Sequence, residues 1–199
     1  MTLVVGFLFM NTFRPIKSSK EDILDRYLNK KSGFDWEALW FASLVTAPTI
    51  ILHELGHKIV ALSFGFNSTF HAACSTTNIA AGSGFLDFYC LLTIMTVVLK
   101  VVGFGFLFFI PAFVQTIGAV TPMQSMLIAL AGPFVNLILF VISWYVVKNY
   151  KKYKLSTNAM HFLTLTKNIN IFLFVFNMLP IPGFDGFSIF YGLWQILFG

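Results

Sequence analysis

The chain has 199 residues, of which 57% are hydrophobic, 18% aromatic and only 11% charged, with a mean hydropathy of +0.81. Soluble domains carry about 25% charged and about 45–50% apolar residues, so a water-soluble globule is excluded, and so is a disordered chain, which needs few apolar residues and many charges. The formal net charge of +5 does not mark a nucleic-acid binder, because the basic residues gather in two short polar segments, 14–31 and 148–154, as they do in loops beside membrane spans.

Charge-poor stretches set the architecture. Residues 38–66 hold only Glu54 and Lys58 as charges, 101–147 hold none, and 168–199 hold only Asp185. A helix crosses the bilayer core with about 20 apolar residues. The expected fold is therefore an all-α integral membrane protein, a polytopic helix bundle with kinked or broken helices and a candidate re-entrant loop. It has one membrane-embedded core over 36–199, preceded by an apolar and amphipathic segment over 1–35.

In chain order, residues 2–10 are apolar but lack the basic flank and cleavage site of a signal peptide. Ser18 with Glu21 fits a capping box. Ile23, Leu24, Tyr27 and Leu28 then share a helical face, giving either a helix at the membrane surface or a solvated linker helix. A first span is expected from about 36 to 64, kinked at Pro48. Residues 67–84, rich in Ser, Thr, Asn, Ala and Gly, form a loop that is re-entrant or includes a short strand. Residues 85–115 are apolar again, with Lys100 placed to snorkel to the interface and breaks at Gly103, Gly105 and Pro111. They form a span with an irregular return or a hairpin that does not cross. Pro122 opens a third span to about 147, a lysine-rich connection follows, and a last span is expected over about 161–179. The run Pro180-Ile181-Pro182-Gly183-Phe184-Asp185-Gly186 cannot be regular helix. The apolar residues 187–199 are too few to cross upright. Cys74 and Cys90 make neither a metal-ligand spacing nor a disulfide framework.

Ionisable residues inside spans are costly and mark functional sites. His53-Glu54-Leu55-Gly56-His57 places three together. Residues four apart share a helical face, so both imidazoles reach one metal ion. Glu54, about 100° around the helix, is placed as a general base for water rather than as a ligand. A pair of histidines bonding across helices is the plainer alternative. Gly56 leaves room for another segment to approach. A catalytic zinc takes three protein ligands and keeps one open position. The candidates for the third are His71, Asp87, His161 and Asp185. Asp185 lies on irregular backbone at membrane depth, which is tolerated where it is buried in protein or lines a wet cavity. His71 and His161 lie in polar loops, and Asp87 lies at the start of a span. Asn136 reads as an interhelical hydrogen-bonding amide, with a role in the site as the alternative. Asn177, eight residues before Asp185, reads as a group that orients a substrate carbonyl or stabilises its oxyanion.

These residues make the sequence resemble the site-2 protease family of intramembrane zinc metalloproteases. His53-Glu54-Leu55-Gly56-His57 matches its H-E-x-G-H element, Gly132-Pro133-Phe134-Val135-Asn136 its G-P-x-x-N element, and 177–186 its N-x-x-P-x-P-x-x-D-G element. The resemblance covers about residues 36–190. It implies that His53, His57 and Asp185 ligate zinc, that Glu54 activates water, and that Asn177 helps hold the scissile region. It implies a zinc-dependent endopeptidase acting on a transmembrane protein substrate, whose helix unwinds locally before it is cut. Lipid is the other partner, and the location is the plasma membrane of a prokaryote, crossed several times. The alternative function is an inactive metal-binding membrane protein that holds partner helices. Phe184 and Phe187 depart from the Leu and the second Gly common in the family. The short connection between the third and last spans leaves no room for a PDZ domain, and the resemblance is to a minimal form. The family places its site nearer the cytoplasmic face. Lysine counting puts 14–31 and 148–154 both inside, which carries His57 toward the outer face.

Overall fold

The computed structural model describes residues 6, 7, 9, 34–72, 88–102 and 112–199. The expected helix over 18–30, Cys74, Asp87 and the breaks at Gly103, Gly105 and Pro111 lie outside the described residues, as do the side chains of His71, Cys90 and Lys100.

The first helix, α1 (Trp36–Ser63), starts where the Asp35 side chain accepts a hydrogen bond from the Ala38 amide at 2.9 Å. Its 28 residues span about 42 Å and run on through Pro48. Its hydroxyls are satisfied within the helix: Ser43 and Thr46 donate to the carbonyls of Leu39 and Ala42, each at 2.8 Å. The helix ends when Phe66 N–H bonds Ala61 O and Gly65 N–H bonds Leu62 O. The left-handed φ of +82° at Gly65 permits that paired closure.

Strand β1 (Asn67–Ala72) follows directly, then helix α2 (Phe88–Val102) and strand β2 (Ala112–Ile117). The strands form an antiparallel ribbon in register from Asn67 opposite Ile117 to Ala72 opposite Ala112. The mostly helical fold thus stands, with this ribbon added. β1 falls in the loop where a short strand was one reading. β2 returns along it and pairs the backbone polar groups that an irregular segment would leave open.

Helix α3 (Pro122–Lys148) has a reciprocal start: Thr121 Oγ1 accepts from Gln124 N at 3.3 Å, and Gln124 Oε1 accepts from Thr121 N at 3.0 Å. One turn, α4 (Tyr150–Tyr153), leads to α5 (Thr157–Asn177), capped by Ser156, and α6 (Asp185–Phe198) follows a break. Helices α1, α3 and α5 are long and apolar enough to cross a membrane; α6, with 14 residues, is too short.

Contacts fix the helix directions. His53 meets Asn136 and His57 meets Ile128, so α1 and α3 run antiparallel. Phe41 stacks on His161, Thr49 meets Asn170 and His53 meets Asn177, so α1 and α5 run parallel. Ala42, Val45 and Ile169 form a small core between α1 and α5. The opposite side of α1 exposes Trp40, Leu44, Ile51, Leu55, Ile59 and Leu62. A large apolar stripe of this kind is stable against lipid.

Candidate metal centre

His53 and His57 lie one turn apart on the buried side of α1, with their Nε2 atoms 3.1 Å apart. Asp185 meets both: its Oδ2 lies 3.1 Å from His53 Nε2 and its Oδ1 3.3 Å from His57 Nε2. One donor atom from each residue lies within 4.8 Å of the others, and among the described residues this is the group that could hold a metal ion.

The chain brings Asp185 there by breaking its last helices. Pro180 and Pro182 forbid helix after Asn177. Ile181 N–H turns back to Leu179 O at 2.8 Å and Phe184 N–H to Ile181 O at 3.0 Å, and Gly183 takes a φ of +96°. A Cβ at Gly186 would overlap the backbone of Met178 and Leu179, so the turn closes only on glycine. Phe184 is buried and meets Phe176 edge-on at 4.9 Å. That contact packs the turn onto α5. Asp185 then opens α6, where unpaired amides favour a carboxylate.

The donor chemistry fits a metal. His57 Nδ1 lies 2.7 Å from the Ile128 carbonyl oxygen. A carbonyl only accepts, so Nδ1 carries the hydrogen, and in the neutral ring Nε2 would keep its lone pair on the side of His53 and Asp185. Tetrahedral ligands about 2.0–2.2 Å from zinc stand about 3.3–3.6 Å from one another, close to the 3.1 Å between the two imidazole Nε2 atoms. Gly132 of α3 sits against both rings, where a Cβ would overlap them. The residues present therefore suit a small cation.

Glu54 is buried beside its two neighbours, and its Oε2 has no hydrogen-bond partner. Asn177, the last residue of α5, brings its Nδ2 to 3.5 Å from His53 Nε2, so it stands at the rim of the group. Asn136 is fully buried, with its amide 3.0 Å from His53 Nδ1. The expected interhelical bond is there, and its partner is a histidine of the group. Of the other candidates for a third ligand, His161 stacks on Phe41 toward the far end of α1. His71 has its backbone on β1 opposite Phe113, and Asp87 lies outside the described residues.

Two contributors leave little mark in the sequence. The Ile128 carbonyl is a backbone group and leaves no residue signature. Gly56 was the expected point of close approach, and a Cβ there would meet Ala131 O and Val135 Cγ2 at 2.9 Å. Gly132 makes the approach to the rings themselves, and the Gly132-Pro133 pair was its signal.

No protein-family model matches the chain, and no solved structure matches it significantly. Two curated relatives do. One is "Putative zinc metalloprotease YwhC" of Bacillus subtilis (strain 168), 30% identical over 144 residues, which are 69% of this chain and 62% of that protein. The other is "Putative zinc metalloprotease MJ0611" of Methanocaldococcus jannaschii, 35% identical over 141 residues, which are 68% of this chain and 61% of that protein. The chain is thus similar to a bacterial and an archaeal protein that carry the name of zinc metalloproteases, and it spans less than two thirds of the length of either.

Proposed function

We propose that the chain acts as an intramembrane zinc metalloprotease of the site-2 kind, hydrolysing peptide bonds within or beside the transmembrane helices of membrane-protein substrates in a prokaryotic plasma membrane. One observation carries the reading. Two histidines from a candidate membrane span and an aspartate from a broken helix converge on one point, and beside them lies a glutamate with an unpartnered buried oxygen.

His53, His57 and Asp185 would hold the zinc. When bound, the ion supplies Lewis-acid chemistry, activating water and polarising a peptide carbonyl. Glu54 takes a proton from the attacking water and passes it to the leaving amine at its carboxylate oxygen. Its Oε2 is free to do so because no other group engages it. The Asn177 amide, at the rim, orients the substrate carbonyl. His53, Glu54 and His57 are buried, and low solvent exposure strengthens charge interactions among them. Depth supports the choice of substrate. His53 is 17 residues from Trp36 and ten from Ser63, about 25 Å and 15 Å along the axis. This placement along a candidate span supports a scissile bond within or beside the bilayer.

The test uses the purified chain in proteoliposomes with single-span reporter substrates. Cleavage within the reporter span, lost on chelation and restored by zinc, is the expected result. Cleavage indifferent to the chelator contradicts the proposal. A chain that holds zinc and cuts no reporter favours the second reading, a metal-binding membrane protein that holds partner helices.

A further inference from the structure

We infer that Asn136 is a positioning residue for His53, presenting its amide oxygen to the Nδ1–H of the imidazole so that the Nε2 lone pair faces His57 and Asp185. The inference rests on the reading of His53 as a zinc ligand.

One buried polar atom of Asn136 stands unpaired. Asn136 is fully buried, one end of its amide lies 3.0 Å from His53 Nδ1, and its Oδ1 has no partner. Buried acceptors are normally satisfied. With the amide nitrogen toward the ring, Nδ1 must accept, and the hydrogen of a neutral imidazole then sits on Nε2. That hydrogen would point into the group and leave no lone pair for a cation. The two ends of a carboxamide have the same shape. A half-turn puts the oxygen toward Nδ1 and frees Nε2, and the amide N–H groups then take the place of Oδ1.

The second histidine shows the same device with its roles fixed. His57 Nδ1 faces the Ile128 carbonyl at 2.7 Å, and that group can only accept. Ile128, Gly132 and Asn136 are spaced four residues apart and share one face of α3. The face thus offers the Ile128 carbonyl, a gap at Gly132 that fits the rings, and the Asn136 amide. Each imidazole is held from behind by α3, and both turn Nε2 the same way. An amide that served only to join two helices would be indifferent to which end met the ring. One that holds a ligand must present oxygen, because an outer acceptor fixes the tautomer and orientation of a metal-binding histidine.

The test measures zinc affinity of the full chain in detergent by chelator competition, for the parent, Asn136→Leu, Asn136→Asp and His53→Ala. It adds 15N spectra of the histidine-labelled, zinc-loaded parent. Asn136→Leu keeps the size and loses the acceptor, and is expected to weaken zinc binding about 10–100-fold. Asn136→Asp, an acceptor on both oxygens, is expected to bind zinc about as the parent does. The spectrum should show His53 protonated at Nδ1 and bound through Nε2. If Asn136→Leu does not fold, the Asp variant and the parent spectrum decide. Asn136→Asp binding zinc as weakly as His53→Ala, or a parent His53 bound through Nδ1, overturns the inference. A parent without zinc overturns the proposed function and this inference with it. A parent with zinc whose affinity Asn136→Leu matches overturns this inference alone.

Discussion

Glu54→Gln is expected to lower reporter cleavage by about 10²–10⁴-fold, the range for loss of a positioned general base, with zinc content unchanged. The substitution keeps size and shape and removes the ability to take a proton. Because Oε2 has no hydrogen-bond partner, the change breaks no network that holds the helices. Exchanging a buried carboxylate for a neutral amide also removes the cost of burying a charge. The variant should therefore fold, carry zinc and be silent. Single-turnover cleavage and metal analysis on one preparation check this. Cleavage at the parent rate would remove Glu54 from the mechanism.

Asp185→Asn is expected to weaken zinc binding by more than the about 10–100-fold that an outer hydrogen-bond partner contributes, while His71→Ala and His161→Ala leave it close to the parent value. Asp185 is the one anion of the group and the one member from outside α1. Its two oxygens face both imidazoles. Asparagine keeps the shape and loses the charge that matches a divalent ion. His161 instead stacks on Phe41, about three turns from His53 along α1. Zinc affinity by chelator competition ranks the variants. A greater loss in either histidine variant than in Asp185→Asn would overturn the assignment.

Most of the site was legible because its residue types are expensive where they stand. His53, Glu54 and His57 are ionisable groups in a span, and their spacing alone puts both imidazoles on one face. Asp185 was marked by the prolines and glycines around it, which only a break in the helix explains. The spans followed from composition, and α1, α3 and α5 lie where the apolar stretches placed them.

The rest depended on relations that no single segment carries. Residues 112–117 stand between Pro111 and Gly118, but a six-residue run with Gln115 and Thr116 in it is too short for periodicity to separate strand from helix. Their partner is β1, some forty residues earlier in the chain. The Asn136 amide was visible, but its partner follows only from the register between α1 and α3. The Ile128 carbonyl could not be read at all, since every residue has one. The helix directions settle a further point. The metal group lies toward the Ser63 end of α1, and the basic connection between α3 and α5 lies at the opposite end of the bundle.

The most direct test of the account is zinc-edge X-ray absorption on the purified chain. One zinc per chain is expected, bound by two imidazoles and oxygen donors, with Zn–N distances of about 2.0–2.1 Å and no sulfur. A chain without bound zinc, or a zinc with a thiolate at about 2.3 Å from Cys74 or Cys90, would contradict it.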